Sequence, residues 1–459
     1  MADDIQKLMI HDDDGALTAA FVRSVSAALS DDDQKIVREL ARGLHAADLA
    51  DLIEQLRRSE RLDLIDKLGR TFDVESLPEL EEDVRDELMQ GLPNSVIASA
   101  VRKLDTDDAL YLIEDLDHED REEILKKVPR SERDALTRAL DYPEDTAGRL
   151  MQTEFVAVPS FWTVGQTVDF LRGNDDLPQN FYEVYVVDVA YHTIGWLPVS
   201  HILRQPRDTR IKDFMQTHTT IFNVTDSDSD VAYKFEQYNM ASAAVIDEDG
   251  RLVGTLTIDD MVDVIQDEAE EDILLLAGVG DEDITSSVIN TTRSRIGWLM
   301  VNLMTAIFAS YIISLFDASL EQMVALAILM PIVASMGGNA GTQTMTVAVR
   351  AIATRDLGAA NAMRVIGRET TVGIINGVVF AGVLGLFSWW WFGSNLLGLV
   401  IAAAMVINML AAALAGILIP LGLDYYEIDP AVSSGVFVTT ITDVVGFFAF
   451  LGLAAWWLL

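Results

Sequence analysis

From residue 295 onward the chain is dominated by five apolar runs, at about 296–316, 323–350, 370–391, 396–419 and 436–459. At a rise of ~1.5 Å per residue each is long enough to cross a ~30 Å hydrocarbon core as a helix. Backbone polar groups inside a bilayer must be paired internally, so this half is expected to be a five-helix membrane domain. The last run, GVFVTTITDVVGFFAFLGLAAWWLL from Gly435, is apolar apart from Thr439, Thr440, Thr442 and Asp443. A carboxylate at that depth costs about 2.5–3.5 kcal/mol on insertion scales, so Asp443 should face a cavity, a partner or a pathway rather than lipid. Thr439 lies one turn before it and Gly446 about one turn after, on the same helical face. Two readings are open: a helix–helix hydrogen bond inside the bundle, or a cation site in a membrane pathway.

The second run carries Pro331-Ile332-Val333-Ala334-Ser335-Met336-Gly337-Gly338-Asn339-Ala340-Gly341-Thr342-Gln343 at membrane depth. Pro and three Gly predict an interrupted helix with freed carbonyls, which are tolerated only when buried in protein or lining water. Helix packing explains glycines but not Asn339 and Gln343 beside them. With Asn302, Asn376 and Asn408 in the first, third and fourth runs, an inward-facing polar path is expected. An intramembrane enzyme is disfavoured. All six His lie at or before His218, so no His-Glu-x-x-His motif or Ser-His pair reaches the membrane half, and Asp443 has no second deep aspartate.

Charge divides the chain just as sharply. Residues 1–294 hold 64 of the 72 acidic and 28 of the 33 basic residues, and residues 295–459 hold the other 8 and 5. So acidic a first half argues against nucleic acid and against anionic lipid surfaces, and for cations. Arg exceeds Lys and Asp is abundant throughout, a composition that also suits a salt-accumulating cytosol; only local acidic clusters therefore carry functional weight. Without cysteine, disulfides, thiolate metal sites and thiol catalysis are excluded. The start, MADDIQKLMI, lacks a basic flank and a continuous apolar core, so no cleavable signal is expected. Arg293 and Arg295 precede the first run, and Arg350, Arg355, Arg364 and Arg368 cluster between the second and third. The positive-inside rule then puts the N-terminal half in the cytoplasm and the C-terminus outside the inner (plasma) membrane.

Along the chain, residues 1–12 are expected to fray, and residues 1–140 form an acidic, all-α domain with apolar spacing of three and four. Asp48–Leu56 and Asp108–Leu116 resemble one another, and each is followed by a charged helix, which predicts stacked helical hairpins in a short superhelix. Residues 141–266 follow a break at Tyr142-Pro143 and read as two α/β units, 151–205 and 211–266, each strand–helix–strand–strand–helix. Residues 267–294 are expected to be a linking helix and 295–459 the pore domain. Asp267, Glu268, Glu270, Glu271 and Asp272 repel one another on that linker unless cations sit between them.

The tandem units, the second ending GTLTIDDMVDVI, resemble a pair of CBS domains, regulatory modules that often bind adenine nucleotides. In such domains a Gly-x-x-Thr-x-x-Asp ending places Thr on phosphate and Asp on ribose, and Gly254, Thr257 and Asp260 match it. Pro198 and His201 stand at the Thr and Asp positions of the first unit. Thr-x-x-Asp is also an ordinary helix start. The whole order, together with PIVASMGGNAGTQ and DPAVSSGVFVTTITDVVGF, closely resembles the MgtE family of magnesium transporters from about Leu44 onward. The resemblance implies a homodimer in the lipid bilayer, a pore on its two-fold axis, and a cytosolic part that closes the pore when internal Mg²⁺ is high.

Mg²⁺ demands octahedral oxygen ligands and sheds water reluctantly. Two copies of Asp443 would match its charge, with Thr439, Asn339 and Gln343 holding its waters. The family pattern places sensor acids at Asp260, Asp263, Glu268, Glu271, Asp272 and Asp429. Asp230 joins them, and Asp105, Asp107 and Asp108 are candidate N-terminal partners; Asn239 stands where an acid is expected. Mg²⁺ is then both substrate and regulatory ligand, ATP or another adenine nucleotide a second ligand at the CBS pair. Two alternatives stay open: a transporter for Co²⁺ or Mn²⁺, since an all-oxygen pore discriminates by hydration and size, and a membrane-anchored sensor that transports nothing.

Overall fold

The computed structural model describes residues 10–174, 177–178, 180–217, 220–279, 288–358 and 360–458. It divides into two compact units, Met1–Gln266 and Asp267–Leu459.

Among the described residues, the first unit opens with nine helices: α1 Ala19–Ser30, α2 Gln34–Leu40, α3 Ala46–Gln55, α4 Arg58–Leu68, α5 Glu82–Gly91, α6 Asn94–Val101, α7 Thr106–Ile113, α8 His118–Lys127 and α9 Arg130–Leu140. They bury one continuous apolar core that includes Phe21, Leu52, Ile53, Leu64, Leu88, Leu110 and Ile113. The internal repeat is structural: Leu49, Leu52 and Ile53 of α3 and Ala109, Leu112 and Ile113 of α7 are buried at matching positions. It extends to the turns. Arg61 donates to Glu54 O at 3.1 Å and Arg121 to Glu114 O at 3.1 Å, each tying a helix back onto the last carbonyls of the one before. Residues 10–12, expected to fray, are ordered instead: His11 bridges Leu17, and its Nε2 lies 2.9 Å from Asp48.

After α10 (Ala147–Leu150) come two three-stranded sheets of the same design. In the first, β1 Ala157–Pro159 runs parallel to β2 Glu183–Val187, which pairs antiparallel with β3 Thr193–Pro198. β4 Ile221–Asn223, β5 Ser242–Ile246 and β6 Leu252–Thr257 repeat it, down to a register irregularity near the end of the middle strand. Helices α11 (Val164–Gly173), α12 (Val199–Ile202) and α13 (Asp228–Tyr238) complete the units, and α14 begins at Ile258. The halves are joined by Tyr185 and Thr255, whose hydroxyls lie 2.6 Å apart in a buried setting, and by Leu252 N–H donating to Tyr191 O.

Helix α14 runs without a break from Ile258 to Leu276. The expected linker over 267–294 is therefore not one helix: its first residues extend the closing CBS helix, and α15 (Val288–Ser314) starts well before 295.

In the second unit, α16 (Asp317–Gln322), α17 (Val324–Ala353), α18 (Ala362–Phe392), α19 (Asn395–Tyr425) and α20 (Pro430–Trp457) follow α15. Among the described residues, five helices are long and apolar enough to cross a membrane. The all-α superhelical N-terminal domain, α/β CBS pair and five-helix membrane domain expected from the sequence are thus the observed fold. α19 is the central post. It packs against α17, α18 and α20 and is buried along much of its length, whereas α15 rests on α20 and leaves most of its surface uncovered.

The second membrane helix is not interrupted. α17 is continuous over 30 residues with Pro331 inside it. Its glycines serve close packing instead: a Cβ on Gly341 would lie 2.6 Å from Val438 Cγ1, and one on Gly416 would lie 2.7 Å from Gly341 O. Nor do the membrane asparagines form one inward path. Asn302, which donates to Trp298 O at 3.0 Å, and Asn376 are exposed on this chain, and only Asn408 is buried.

Candidate functional site

The first candidate site gathers acids around the N-terminus of α7 and the start of α14, both in the first unit. Thr106 opens α7; its hydroxyl donates to Glu154 Oε1 at 2.7 Å and its N–H to Glu154 Oε2 at 3.3 Å. A carboxylate suits that place, because the first N–H groups of a helix are unpaired and carry the positive end of its dipole. Asp107, next along, is 9 % exposed. Its Oδ2 accepts from Gln152 Nε2 at 2.9 Å, while its buried Oδ1 has no hydrogen-bond partner. Asp260 stands opposite, close enough that each carboxyl acts on the other. Neither can donate while both are ionised. A proton or a cation between them supplies what Asp107 Oδ1 lacks.

Burial is the main reason these groups resist ionisation. It pushes Asp107 well up, with the Asp260 charge adding to it, and raises Asp260 to about 7 and Asp108 to about 8. Asp263 is raised too, by partial burial and then by the charges of Glu79 and Asp259. Asp105, exposed at the N-cap of α7, completes the group. Among the described residues no three His, Asp or Glu side chains form a ready metal cage. Asp230 lies in the first turn of α13, where its N–H donates to Ser227 Oγ at 3.3 Å. Asn239, at the end of that helix, adopts the left-handed conformation that Asn tolerates, with φ of 50°.

Thr257 and Asp260 are engaged with one another: the threonine hydroxyl donates to Asp260 Oδ2 at 2.6 Å at the start of α14. Gln152 Nε2 also reaches Thr257 Oγ1 at 3.5 Å, so one amide spans both sides of the acidic group. Gly254 is used by the chain itself, because a Cβ there would lie 2.6 Å from Met151 Sδ and 2.8 Å from Gln152 O. Beside them a cleft between the CBS halves is lined by Phe155, Tyr182, Glu183, Tyr185, Thr255 and Thr257.

In the second unit, Asp272 of α14 and Asp429 are brought together. Partial burial raises the Asp272 carboxyl, and the Asp429 and Glu268 charges add to it. Asp429 also caps α20, accepting from Ala431 N–H at 2.7 Å. Glu271 is exposed on α14.

Within the membrane helices, Ser335, Asn339, Thr342, Gln343 and Thr346 are all exposed and share one face of α17. Gly341 and Thr442, next in sequence to Thr342 and Asp443, face one another across α17 and α20: a Cβ on Gly341 would lie 3.4 Å from Thr442 Cγ2. Asp443 is half-buried; Thr439, one turn earlier, is exposed and donates to Gly435 O at 2.7 Å. Gly446 is buried against Asn408, so the expected common face turns inward at its far end.

Family models match most of the chain in three blocks: a divalent cation transporter over residues 330–453, the MgtE intracellular N domain over 44–145, and a CBS domain over 211–267. The magnesium transporter MgtE of Thermus thermophilus is 31% identical over 437 residues, 94% of this chain and 97% of that protein. The chain belongs to the MgtE family of magnesium transporters. The MgtE of Bacillus subtilis is 30% identical over 409 residues, 89% of this chain and 85% of its own. A solved cytosolic domain of the Mg²⁺ channel MgtE in complex with ATP is 28% identical and covers 53% of this chain and 99% of its own, with a TM-score of 0.49. Like its MgtE relatives, this chain is a membrane transporter with CBS regulation and a cytosolic N-terminal domain.

The sequence motifs pointed to Asp260, Asp107, Asp108, Asp272 and Asp429 but not to Glu154, Gln152, Asp259 or Glu79. Gln152 and Glu154 lie in an irregular stretch before β1, where no periodicity marks them. Ser335, Thr342 and Thr346 were visible in principle, by their spacing of three, four and seven from Asn339 and Gln343.

Proposed function

We propose that this MgtE chain is a homodimeric, channel-like Mg²⁺ transporter whose pore is lined by Asp443 and Thr439 of α20 and by Asn339 and Gln343 of α17. The observation that carries the reading is the polar stripe of α17, exposed on the single chain and flanking Gly341, which packs on Val438 and Thr442 of the helix of Asp443. Such a face is costly against lipid, and a second copy across a two-fold axis would cover it. Two Asp443 carboxylates then balance one divalent charge, and amide and hydroxyl oxygens hold the hydration shell. Trp389, Trp390 and Trp391 at the end of α18, and Trp456 and Trp457 at the end of α20, suit one membrane interface, with the arginines between α17 and α18 at the other. That arrangement favours a cytoplasmic N-terminal half and a C-terminus outside the cell membrane.

The regulatory ligand is Mg²⁺ as well. Asp107 and Asp260, with Asp105, Asp108 and Asp263 around them, would hold it mostly through its water, as would Asp272 and Asp429 with Glu268 and Glu271. Metal offsets repulsion among these acids and closes the pore; without it the groups separate. Asp230, in the first turn of α13, is a further member. An adenine nucleotide is a second cytosolic ligand, with Gly254, Thr257 and Asp260 at the edge of its cleft. Because Asp260 serves both, metal and nucleotide should be coupled.

Mg²⁺ uptake into liposomes by the wild type and Asp443→Ala, with Ca²⁺ and Mn²⁺ as competitors, tests the pore. The wild type should conduct Mg²⁺ and the variant should lose conduction or discrimination. Equal conduction by both makes Asp443 a packing residue. No flux from either, at low internal Mg²⁺, favours an anchored sensor, and preferential Co²⁺ or Mn²⁺ flux favours another cargo.

A further inference from the structure

Asn408 is a fully buried amide in the middle of the central post of the membrane bundle. Its Nδ2 donates to Val333 O of α17 at 2.8 Å, which fixes the orientation of the amide, and its Oδ1 has no hydrogen-bond partner. Two neighbouring helices are notched to receive it. A Cβ on Gly337 of α17 would overlap the Asn408 amide nitrogen, and one on Gly446 of α20 would lie 2.8 Å from it. One side chain of α19 therefore sets how closely both α17 and α20 approach it. Gly337 lies two residues before Asn339, and Gly446 three residues after Asp443. Along a helix those offsets are about 3 Å and 4.5 Å, so both notches are within a turn of the proposed pore ligands.

An apolar residue would fill this space without the cost of burying an amide whose carbonyl oxygen is unpaired, a cost of about 1–3 kcal/mol. Packing alone does not account for the choice. A hydrogen bond to a fixed backbone carbonyl does, because it sets the rotation of α17 as well as its distance. We infer that Asn408 is a positioning residue of the transport pathway: its amide holds α17 and α20 in the register that points Asn339 and Asp443 at the same ion. The inference rests on the pore proposed at Asp443.

The test compares four variants of the full chain in liposomes: Asn408→Ala, Asn408→Ala with Gly337→Ala, Asn408→Leu and Asp443→Asn. Each is first checked for a monodisperse profile and a melting temperature in detergent. The double variant refills with a methyl group the space that the amide leaves. If the amide positions the helices, Asn408→Ala and the double variant both lose Mg²⁺ uptake about tenfold and discriminate less against Ca²⁺. If Asn408 is only a filler, the double variant regains wild-type flux and discrimination, and the inference is overturned. Asn408→Leu nearly keeps the shape but cannot donate to Val333 O. It should lose uptake and discrimination as the alanine variants do; wild-type flux and discrimination from it overturn the inference, even where the alanine variants do not fold. Asp443→Asn separates the two readings. If it conducts like wild type, the pore assignment fails; if it alone loses flux while the Asn408 variants keep theirs, only the positioning role fails.

Discussion

Replacing Asp260 by Asn should stabilise the metal-free cytosolic part of this transporter while weakening its response to Mg²⁺. Raising a carboxyl from its ordinary 3.8 to about 7 corresponds to about 4 kcal/mol for forcing ionisation at higher pH, at ~1.36 kcal/mol per pH unit. That is an upper bound. Relaxation of the pair, and the weaker hydrogen bond that an amide offers Thr257, bring the net gain to about 1–2 kcal/mol. The sign follows from linkage. The folded chain holds this proton up to about pH 7, while the unfolded chain releases it near pH ~3.9. The Asp260 contribution to metal-free stability is therefore fully present below about pH 4 and is lost as the pH rises through 7. For a fragment of residues 1–266, Asp260→Asn should raise the melting temperature by roughly 2–6 °C at pH 8 in chelator and by little at pH 5. Millimolar Mg²⁺ should raise the wild type and move the variant much less. A variant that melts below wild type at pH 8 without metal, or gains as much from Mg²⁺, would refute the reading of Asp107 and Asp260 as a strained pair waiting for a cation.

Asp272→Asn with Asp429→Asn should leave Mg²⁺ conduction intact but shift the internal Mg²⁺ concentration that half-closes the pore upward by about threefold or more, read as uptake rate against preloaded Mg²⁺; an unchanged midpoint removes these two acids from the sensor. Adenine nucleotide affinity, measured by calorimetry with and without Mg²⁺, should differ by several-fold in the wild type and become metal-independent in Asp260→Asn. No nucleotide binding at either condition would mean that Thr257 and Asp260 serve only as a helix start.

The broad architecture was legible because each of its parts leaves a strong periodic trace. Apolar runs announce membrane helices, a spacing of three and four announces α3 and α7, and the turn Asp247-Glu248-Asp249-Gly250 separates β5 from β6. The interruption expected at Pro331 did not materialise, since proline and glycine read the same whether they break a helix or let neighbouring helices close upon it. Only the facing residues, Val438 and Asn408, decide between these outcomes, and they lie far along the chain. The linker was misjudged for a similar reason: consecutive carboxylates suggest a separate element, yet nothing between Ile258 and Leu276 stops a helix already begun. Residues 280–287, which belong to the expected linker, lie outside the described residues. In the acidic group the motif residues were recoverable, but Gln152 and Glu154 reach it from an irregular segment that carries no motif.

Helix α7 carries its acids at one end and a different kind of bond at the other. Glu114, just past Ile113, accepts from Arg149 Nε at 3.0 Å, and the same guanidinium donates to Leu140 O at 3.1 Å. Opposite charges rivet one end of the helix to the segment that leads into the CBS pair; like charges crowd the other end, seven residues or about 10 Å away. Repulsion at the acidic end therefore cannot push the two parts directly apart. With Arg149 holding the far end, that repulsion would act first on the bonds between Thr106 and Glu154. The work needed is then governed by the rivet as much as by the latch, and a charge lost at Arg149 would leave the latch with nothing to pull against.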